Sequence, residues 1–520
     1  MKKRLLTLLL ICTLLCSCLC GCAPDKKDKI TGFESLSNAK IGLVTGTIFE
    51  GEIKSQFPNA DRVYSDYYTN LLMALRQGKL DAFAVDETIY TALRWEVDDV
   101  VCLDQPVMEL ECGFPVSEDF IDRGILDELN QFIKDSRQKG LTDQLEDKWF
   151  GEKEPEDIID YSDLPAPNGI LKIAVDPTLK PVTYVKDTVI TGFDIDYLYN
   201  FCKEYGYGME VISVKFGGII PGIQTNKFDF ACGNIFKSEE RMASVTFSDT
   251  YCVSRGSLIV LADRYVSADS SDINSTGEQE NSSLIEKIKS SFEKTFIKEN
   301  RWKLILDGVY VTIIITIASL IFGTLLGFGI YLCYRKNPKI TSRIASVYSR
   351  ILAGTPIVVI LMILYYIILG DLKISGITVA IIGFTMTLSA FVYDKLVVIV
   401  NGIDKGQTEA ALALGYTSKR TFFRIILPQA CRQFIPLYRS EAVSLLKGTA
   451  IVGYIAVEDL TKMGDIIRSS TYEAFFPLIS TAVIYFVLTW ILSILINQIN
   501  NRFDSRKRSK DKILKGVKPE

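Results

Sequence analysis

The chain has 520 residues, a net charge of −4 and no histidine. So mild a charge argues against a nucleic-acid partner, and the lack of histidine removes the commonest general base and metal ligand, which argues against an enzyme, a metal site or a cofactor. Hydrophobic residues make up 48% but are unevenly spread. A soluble α/β part is expected up to about residue 265 and a membrane part from Gly308 onward.

At the N-terminus, Lys2, Lys3 and Arg4 precede an apolar run from Leu5 to Leu15, the pattern of a secretory signal over residues 1–22 that places the soluble part outside the cell. Leu19-Cys20-Gly21-Cys22 resembles the bacterial lipobox, which implies acylation of Cys22; Leu15-Cys16-Ser17-Cys18 is a competing site, and an uncleaved anchor or plain cleavage are the alternatives. Beyond this cluster the cysteines show no CxxC pair, so no redox or zinc site and no disulfide is assigned.

Two stretches of the soluble half then repeat a pattern. Leu71, Leu72 and Leu75 lead into Gly78-Lys79-Leu80-Asp81-Ala82-Phe83-Ala84, and Ile219, Ile220 and Ile223 lead into Asn226-Lys227-Phe228-Asp229-Phe230-Ala231. Each reads as a helix, a Gly or Asn stop and a buried strand. Upstream of each lies another strand, Lys40-Ile41-Gly42-Leu43-Val44 and Lys172-Ile173-Ala174-Val175. Repeated β-turn-α units predict two similar α/β lobes with mainly parallel sheets. Between them, Leu126, Leu129, Phe132 and Ile133 mark one helix and Leu141, Leu145 and Trp149 a second, and Glu152 to Asn168 reads as a linker.

Residues 264–283, nearly all Ser, Asp, Asn, Gly, Glu and Gln after Tyr265, predict a flexible tether. Leu284, Ile288, Phe292 and Phe296 recur at helical spacing, predicting an amphipathic interfacial helix over 284–304. The uncharged stretch Gly308 to Tyr334 is about 40 Å long as a helix, more than a bilayer core needs. Further spans are expected near Ile351 to Leu369, Ile374 to Tyr393, Ala442 to Val457 and Phe475 to Ile496; Arg439, Glu441 and Lys447 interrupt the fourth. An outside N-terminus and a basic tail over 501–520 that stays inside call for an odd number of spans, and five puts the basic loops on one side. Glu441 and Lys447 are costly in hydrocarbon, so they either line a translocation path or are structural charges, interfacial or paired with each other.

The loop after the third span reads Glu409-Ala410-Ala411-Leu412-Ala413-Leu414-Gly415, nine residues, then Ile425-Ile426-Leu427-Pro428. It resembles the EAA motif of ABC importer permeases at every fixed position. In that family the helix docks on the ATPase, so Glu409, Ala410, Ala411 and Gly415 are expected to carry the coupling. Glu299-Asn300-Arg301-Trp302, Gly354-Thr355-Pro356, Lys405-Gly406-Gln407 and Ser444-Leu445-Leu446-Lys447 extend the resemblance to permeases for polar amino acids over residues 305–500. No GxxxxGK[ST] occurs, so the resemblance implies a separate cytoplasmic ATPase dimer as partner.

The soluble half resembles the type II solute-binding proteins of the same transporters, such as the glutamine-binding protein. Ser238-Glu239-Glu240-Arg241 with Phe247-Ser248-Asp249 is similar to the segment whose arginine clamps the solute carboxylate, which implies that role for Arg241. Thr45-Gly46-Thr47-Ile48, the turn before a helix, would offer N–H groups to the same carboxylate. Asp86 matches the aspartate that receives the ammonium group, with a strand-end cap as its alternative. Asp176 and Phe216 match side-chain contacts of the pocket. Two positions depart from the family: Leu179 replaces an aromatic, and Asn234-Ile235-Phe236 replaces Gly-x-Thr, which implies a reshaped pocket. The order also differs, with a second-lobe match over 36–110, a C-terminal-helix match over 111–151 and a first-lobe match over 169–263. Circular permutation of one domain over 36–263 accounts for this, as do half-receptors completing each other between subunits.

The expected fold is therefore an α/β two-lobed periplasmic-binding-protein-like domain with parallel-rich sheets, followed by an all-α membrane domain of about five transmembrane helices. The resemblance implies the binding and permease subunit of an importer for amino acids or similar carboxylate-bearing solutes. It is expected as a homodimer in a bacterial membrane, in contact with membrane lipid. An amino-acid-gated channel and a non-transporting receptor are the rival readings.

Overall fold

The computed structural model describes residues 29–266, 284–370, 372, 374–473 and 475–503. The expected signal, Cys22, most of the tether and the basic tail lie outside the described residues. The chain divides into two compact units, Met1–Tyr90, Val97–Glu109 and Arg255–Gln279 in one and Thr91–Glu96, Leu110–Ser254 and Glu280–Glu520 in the other.

In the first unit, β1 (Lys40–Val44), β2 (Asp61–Ser65) and β3 (Ala82–Asp86) run parallel in the order β2-β1-β3. β3 is buried along its whole length, as its unbroken apolar run from Ala82 to Val85 requires. The helix before it, Tyr68–Arg76, buries Leu71, Leu72 and Leu75 and is followed by Gly78 at φ 68°. β4 (Val100–Cys102) completes the sheet together with β14 (Cys252–Leu261), which lies antiparallel between β3 and β4 and also pairs with β5 (Met108–Cys112).

The second unit contains the matching sheet. β7 (Ile170–Val175) pairs in parallel with β11 (Gly208–Ser213) and β12 (Phe230–Ala231), and β6 (Pro115–Val116) enters antiparallel between β12 and β13 (Thr246–Phe247). Each large sheet thus takes one strand from the far half of the sequence. β8 (Thr178–Leu179), β9 (Thr183–Lys186) and β10 (Val189–Thr191) form a small antiparallel sheet. The helices Ile125–Gln138 and Leu141–Trp149 pack on this lobe through aromatic contacts such as Phe132 with Tyr197 and Phe201. Trp149 and Lys148 both donate to Asp196 at 2.9 Å, fastening residues 111–151 to the 169–263 segment. The stretch from Glu152 to Asn168 contains no helix or strand, as a linker would.

The membrane part belongs to this second unit. Among the described residues three helices are long and apolar enough to span a bilayer, Trp302–Lys336, Gly376–Asn401 and Phe475–Ile499, and two bent pairs raise the count to five if each is one span. The pairs are Pro338–Gly354 with Ile357–Ile368, bent by 108°, and Ser418–Ile455 with Leu460–Thr471, bent by 58°. The first bend falls at Thr355-Pro356, where the ring of Pro356 takes a backbone donor away. The second coincides with the interrupted fourth span. The amphipathic helix is shorter than expected: Leu284–Phe292 continues as a π turn to Ile297, and Glu299 and Asn300 at φ 56° and 52° break it before Trp302.

One apolar cluster joins the lobe to the membrane helices within this unit. It takes Val214, Ile219 and Phe228 from the lobe together with Tyr366, Val452 and Ile455. Polar contacts flank it. Lys227 donates to the carbonyls of Leu369 and Leu372 at 2.9 and 2.7 Å, and the Lys215 amide donates to Gly453 O at 3.1 Å.

Candidate functional site

In the first unit the candidate residues stand at the ends of parallel strands. β1 ends at Val44 and runs into Thr45 and Gly46, and Gly46 at φ 79° makes the turn that a side chain would resist. Thr47 donates through its hydroxyl to Val44 O at 2.7 Å, so its side chain closes the turn. Ile48 precedes the helix Phe49–Gln56, and no side chain caps that helix start. Asp86 ends β3, where its carboxylate accepts from Thr88 Oγ1 and from the Ile89 amide. These contacts lie at the start of the helix Glu87–Glu96.

The second unit gathers the other candidates. Ser238 accepts from the Arg241 amide at 3.2 Å and so caps the short helix Glu239–Met242. Arg241 Nη1 donates to Phe236 O at 2.8 Å, and the guanidinium lies 5.5 Å from the centre of the Phe216 ring. Burial holds its pKa below the usual arginine value, with Glu240 opposing. Asp176 follows β7; its Oδ2 accepts from the Phe216 amide at 2.9 Å, while Oδ1 accepts from Thr178 at 2.9 Å and from Lys462 at 3.0 Å. A Cβ placed on Gly233 would lie 3.7 Å from Leu179 Cδ1 and 4.0 Å from the Asp176 amide, so the 233–236 turn, β8 and Asp176 converge. Phe236 is buried in this turn rather than standing free in a pocket. Asn234, at φ 55°, accepts from the Cys112 thiol through Oδ1.

Three residues of this neighbourhood do not stand out in the sequence. Asp194, fully buried, accepts from the Gly233 and Asn234 amides at 2.7 and 3.2 Å and from Tyr251 at 2.8 Å, so it shapes the 233–236 turn. Burial is the main influence on its pKa, which rises to about 6 in spite of these donors. Tyr251 and Lys462 are the others. The Gly192-Phe193-Asp194 helix start was the signal available for Asp194; Lys462 lies 286 positions from Asp176 and had none.

In the membrane part the Glu409 segment forms the helix Lys405–Ala413, capped by Asp404, which accepts from the Gly406 amide at 2.9 Å. Gly415 at φ 83° ends it, with Gly415 N donating to Leu412 O and Tyr416 N to Ala411 O, the two bonds of a Schellman end. Ala411 is buried, whereas Glu409, Ala410, Leu412 and Leu414 are exposed. Glu441 is half-buried and Lys447 exposed on the helix Leu427–Gly448, and among the described residues no ion pair joins them.

A two-sheet solute-binding architecture and a bundle of apolar helices with an exposed loop helix define a solute transporter's receptor and membrane parts in one polypeptide. Comparison with known proteins agrees. The model of binding-protein-dependent transport system inner membrane components matches residues 319–509, and that of bacterial extracellular solute-binding proteins, family 3, matches residues 171–413, starting in β7 and overlapping the first match. A putative glutamine transport system permease protein GlnP of Rickettsia bellii is 30% identical over 38% of this chain and 92% of its own length. The L-cystine transport system permease protein TcyB of Bacillus subtilis is 30% identical over 40% and 90%, and its arginine transport system permease protein ArtQ 32% over 39% and 93%. The chain belongs to the family of binding-protein-dependent transport system inner membrane components, and it joins a solute-binding domain to the permease.

Proposed function

We propose that this chain is the receptor and permease subunit of an ATP-driven importer of amino acids. The observation that carries the reading is the helix Lys405–Ala413, which presents Glu409, Leu412 and Leu414 outward on a firmly ended helix. Exposed apolar side chains beside a carboxylate suit a protein partner, and in this family that partner is a separate cytoplasmic ATPase. The names of the relatives, for glutamine, cystine and arginine, favour amino acids as solutes.

In this reading residues 36–263 are a circularly permuted binding domain and 305–500 the permease. Within the second unit Arg241 holds a solute carboxylate; within the first, the Thr45–Ile48 turn offers backbone N–H groups to a carboxylate and Asp86 suits an ammonium group. Asp176, Leu179, Phe216, Asn234 and Phe236 set side-chain selectivity. The binding domain is outside the cell, tethered through 264–283, with Cys22 as an acylated anchor and the 501–520 tail inside. The last span, with 6% of its most apolar window buried, faces lipid and a second copy of this chain in a homodimer. Glu441 and Lys447, unpaired with each other, lie along the path.

Transport starts when Arg241 takes up the solute carboxylate. ATPase closure, felt through Glu409 to Gly415, then opens the path inward. The 108° bend at Thr355-Pro356 is a feature that a ligand-gated channel would share, but that reading gives no use to the exposed loop helix. Co-purification with the ATPase tests the assignment: Glu409→Arg is expected to lose the ATPase while binding solute normally. Undiminished ATPase association would remove the coupling role of this helix.

A further inference from the structure

Lys462 is buried to 1% exposure, and its ammonium group lies 3.0 Å from Asp176 Oδ1, itself in a residue 5% exposed. Asp459 accepts from the Thr461 and Lys462 amides at 2.9 and 3.2 Å, starting the helix Leu460–Thr471 so that Lys462 stands in its first turn. The lysine is thus delivered to the receptor lobe by a well-anchored membrane element. At its far end Asp176 is already engaged by Thr178 and the Phe216 amide. A donor arriving from a solute has to displace one of these groups, and a cationic solute beside Lys462 would place two like charges against one carboxylate, which is unfavourable.

We propose that Lys462 is an intramolecular competitor for the solute side chain: it occupies Asp176 in the empty transporter and is expelled by solutes whose side chain ends in a cation or a hydrogen-bond donor. This rests on the reading of Asp176 as a solute contact. The expelled lysine has a mechanical consequence. Leu460–Thr471 forms one bent pair with Ser418–Ile455, whose first residue follows Gly415 by three positions. Release of Lys462 therefore acts on the element that begins beside the ATPase-coupling helix, and solute occupancy is reported to the ATPase along it. A state that binds solute only after this release has its apparent affinity lowered by the fraction in which the lysine is engaged.

The test uses the full chain in nanodiscs with its ATPase, and the proteinogenic amino acids plus cystine as probes. Lys462→Met is expected to bind its solute about tenfold more tightly than the wild type, within the usual span of coupling between sites, and to lose solute stimulation of ATP hydrolysis. Lys462→Arg retains both properties. Because Lys462→Met leaves a buried carboxylate without its charge partner, Lys462→Gln and the double variant Asp176→Asn/Lys462→Met accompany it; in the Asp176→Asn background, loss of the lysine is expected to change affinity no further. Equal or weaker binding by Lys462→Met and Lys462→Gln overturns the competition. Asp176→Asn alone tests the underlying reading: it is expected to weaken binding, and unchanged affinity shows that Asp176 is no solute contact, whatever Lys462 does.

Discussion

The Arg241 guanidinium is held in one orientation, because one of its N–H groups donates to the Phe236 carbonyl and the group lies over the Phe216 ring. A planar fork held in this way has less freedom to lose on pairing both oxygens of a carboxylate. Charge-assisted hydrogen bonds contribute roughly 1.5–3 kcal/mol each, so Arg241→Ala is expected to weaken solute binding by at least about tenfold, and Arg241→Lys to recover little of it. Calorimetric titration checks this, and unchanged affinity would remove the proposed clamp. Asp194 makes stability depend on pH. Burial raises its pKa from 3.8 to about 6, so the folded protein binds this proton more tightly than the unfolded chain does. Its contribution to stability is full below about pH 4 and is lost as pH rises through about 6. Thermal melts across that window are expected to show the decline, and Asp194→Asn to flatten it; an unchanged slope in the variant would assign the pH dependence elsewhere.

At the scale of elements, a close helix contact in the membrane part is made by a small residue. A Cβ on Gly327 would lie 2.5 Å from Ser389 O and 2.7 Å from Val392 Cβ, so Trp302–Lys336 and Gly376–Asn401 meet backbone to backbone there. Gly327→Leu is expected to cost about 1–3 kcal/mol or more by overpacking, read as a lower melting temperature and a smaller monodisperse yield in detergent; a variant as stable as the wild type would show that the two helices separate easily. Much at this scale was legible in the sequence. The apolar spacing of Leu71, Leu72 and Leu75, with Gly78 behind it, fixes a helix, its stop and the strand after it, because all of these are local. The helix Lys405–Ala413 was equally legible from its Ala and Leu content and the Gly415 stop, whereas the Asp404 cap emerged only in the structure. The broken fourth span was less so: hydropathy registers the charges of Arg439, Glu441 and Lys447 but carries no information about a 58° bend beyond Ile455.

Over the whole molecule, two α/β lobes with parallel-rich sheets followed from matching short repeats, whereas the strand exchange did not. β6 and β14 are placed by partners far away in the chain, Phe230 for Val116 and Asp86 for Gly256, and local patterning cannot name such partners. The Lys462 contact with Asp176 is the extreme case. A lysine in a membrane segment and an aspartate at a strand end each have ordinary local explanations, and their meeting depends on how lobe and helices pack within one unit. Arg241, Asp176 and Phe216 were singled out by resemblance to known receptor segments, whereas Asp194 and Tyr251, which meet each other and the 233–236 turn, read as ordinary core. Receptor, permease and coupling helix are proposed to act as one ATP-driven importer. The most direct test is uptake of a labelled amino acid by proteoliposomes containing this chain and its ATPase. Uptake against a gradient that requires ATP and disappears with Glu409→Arg is the expected result, and uptake that proceeds without ATP would show that this chain is no part of an ATP-driven importer.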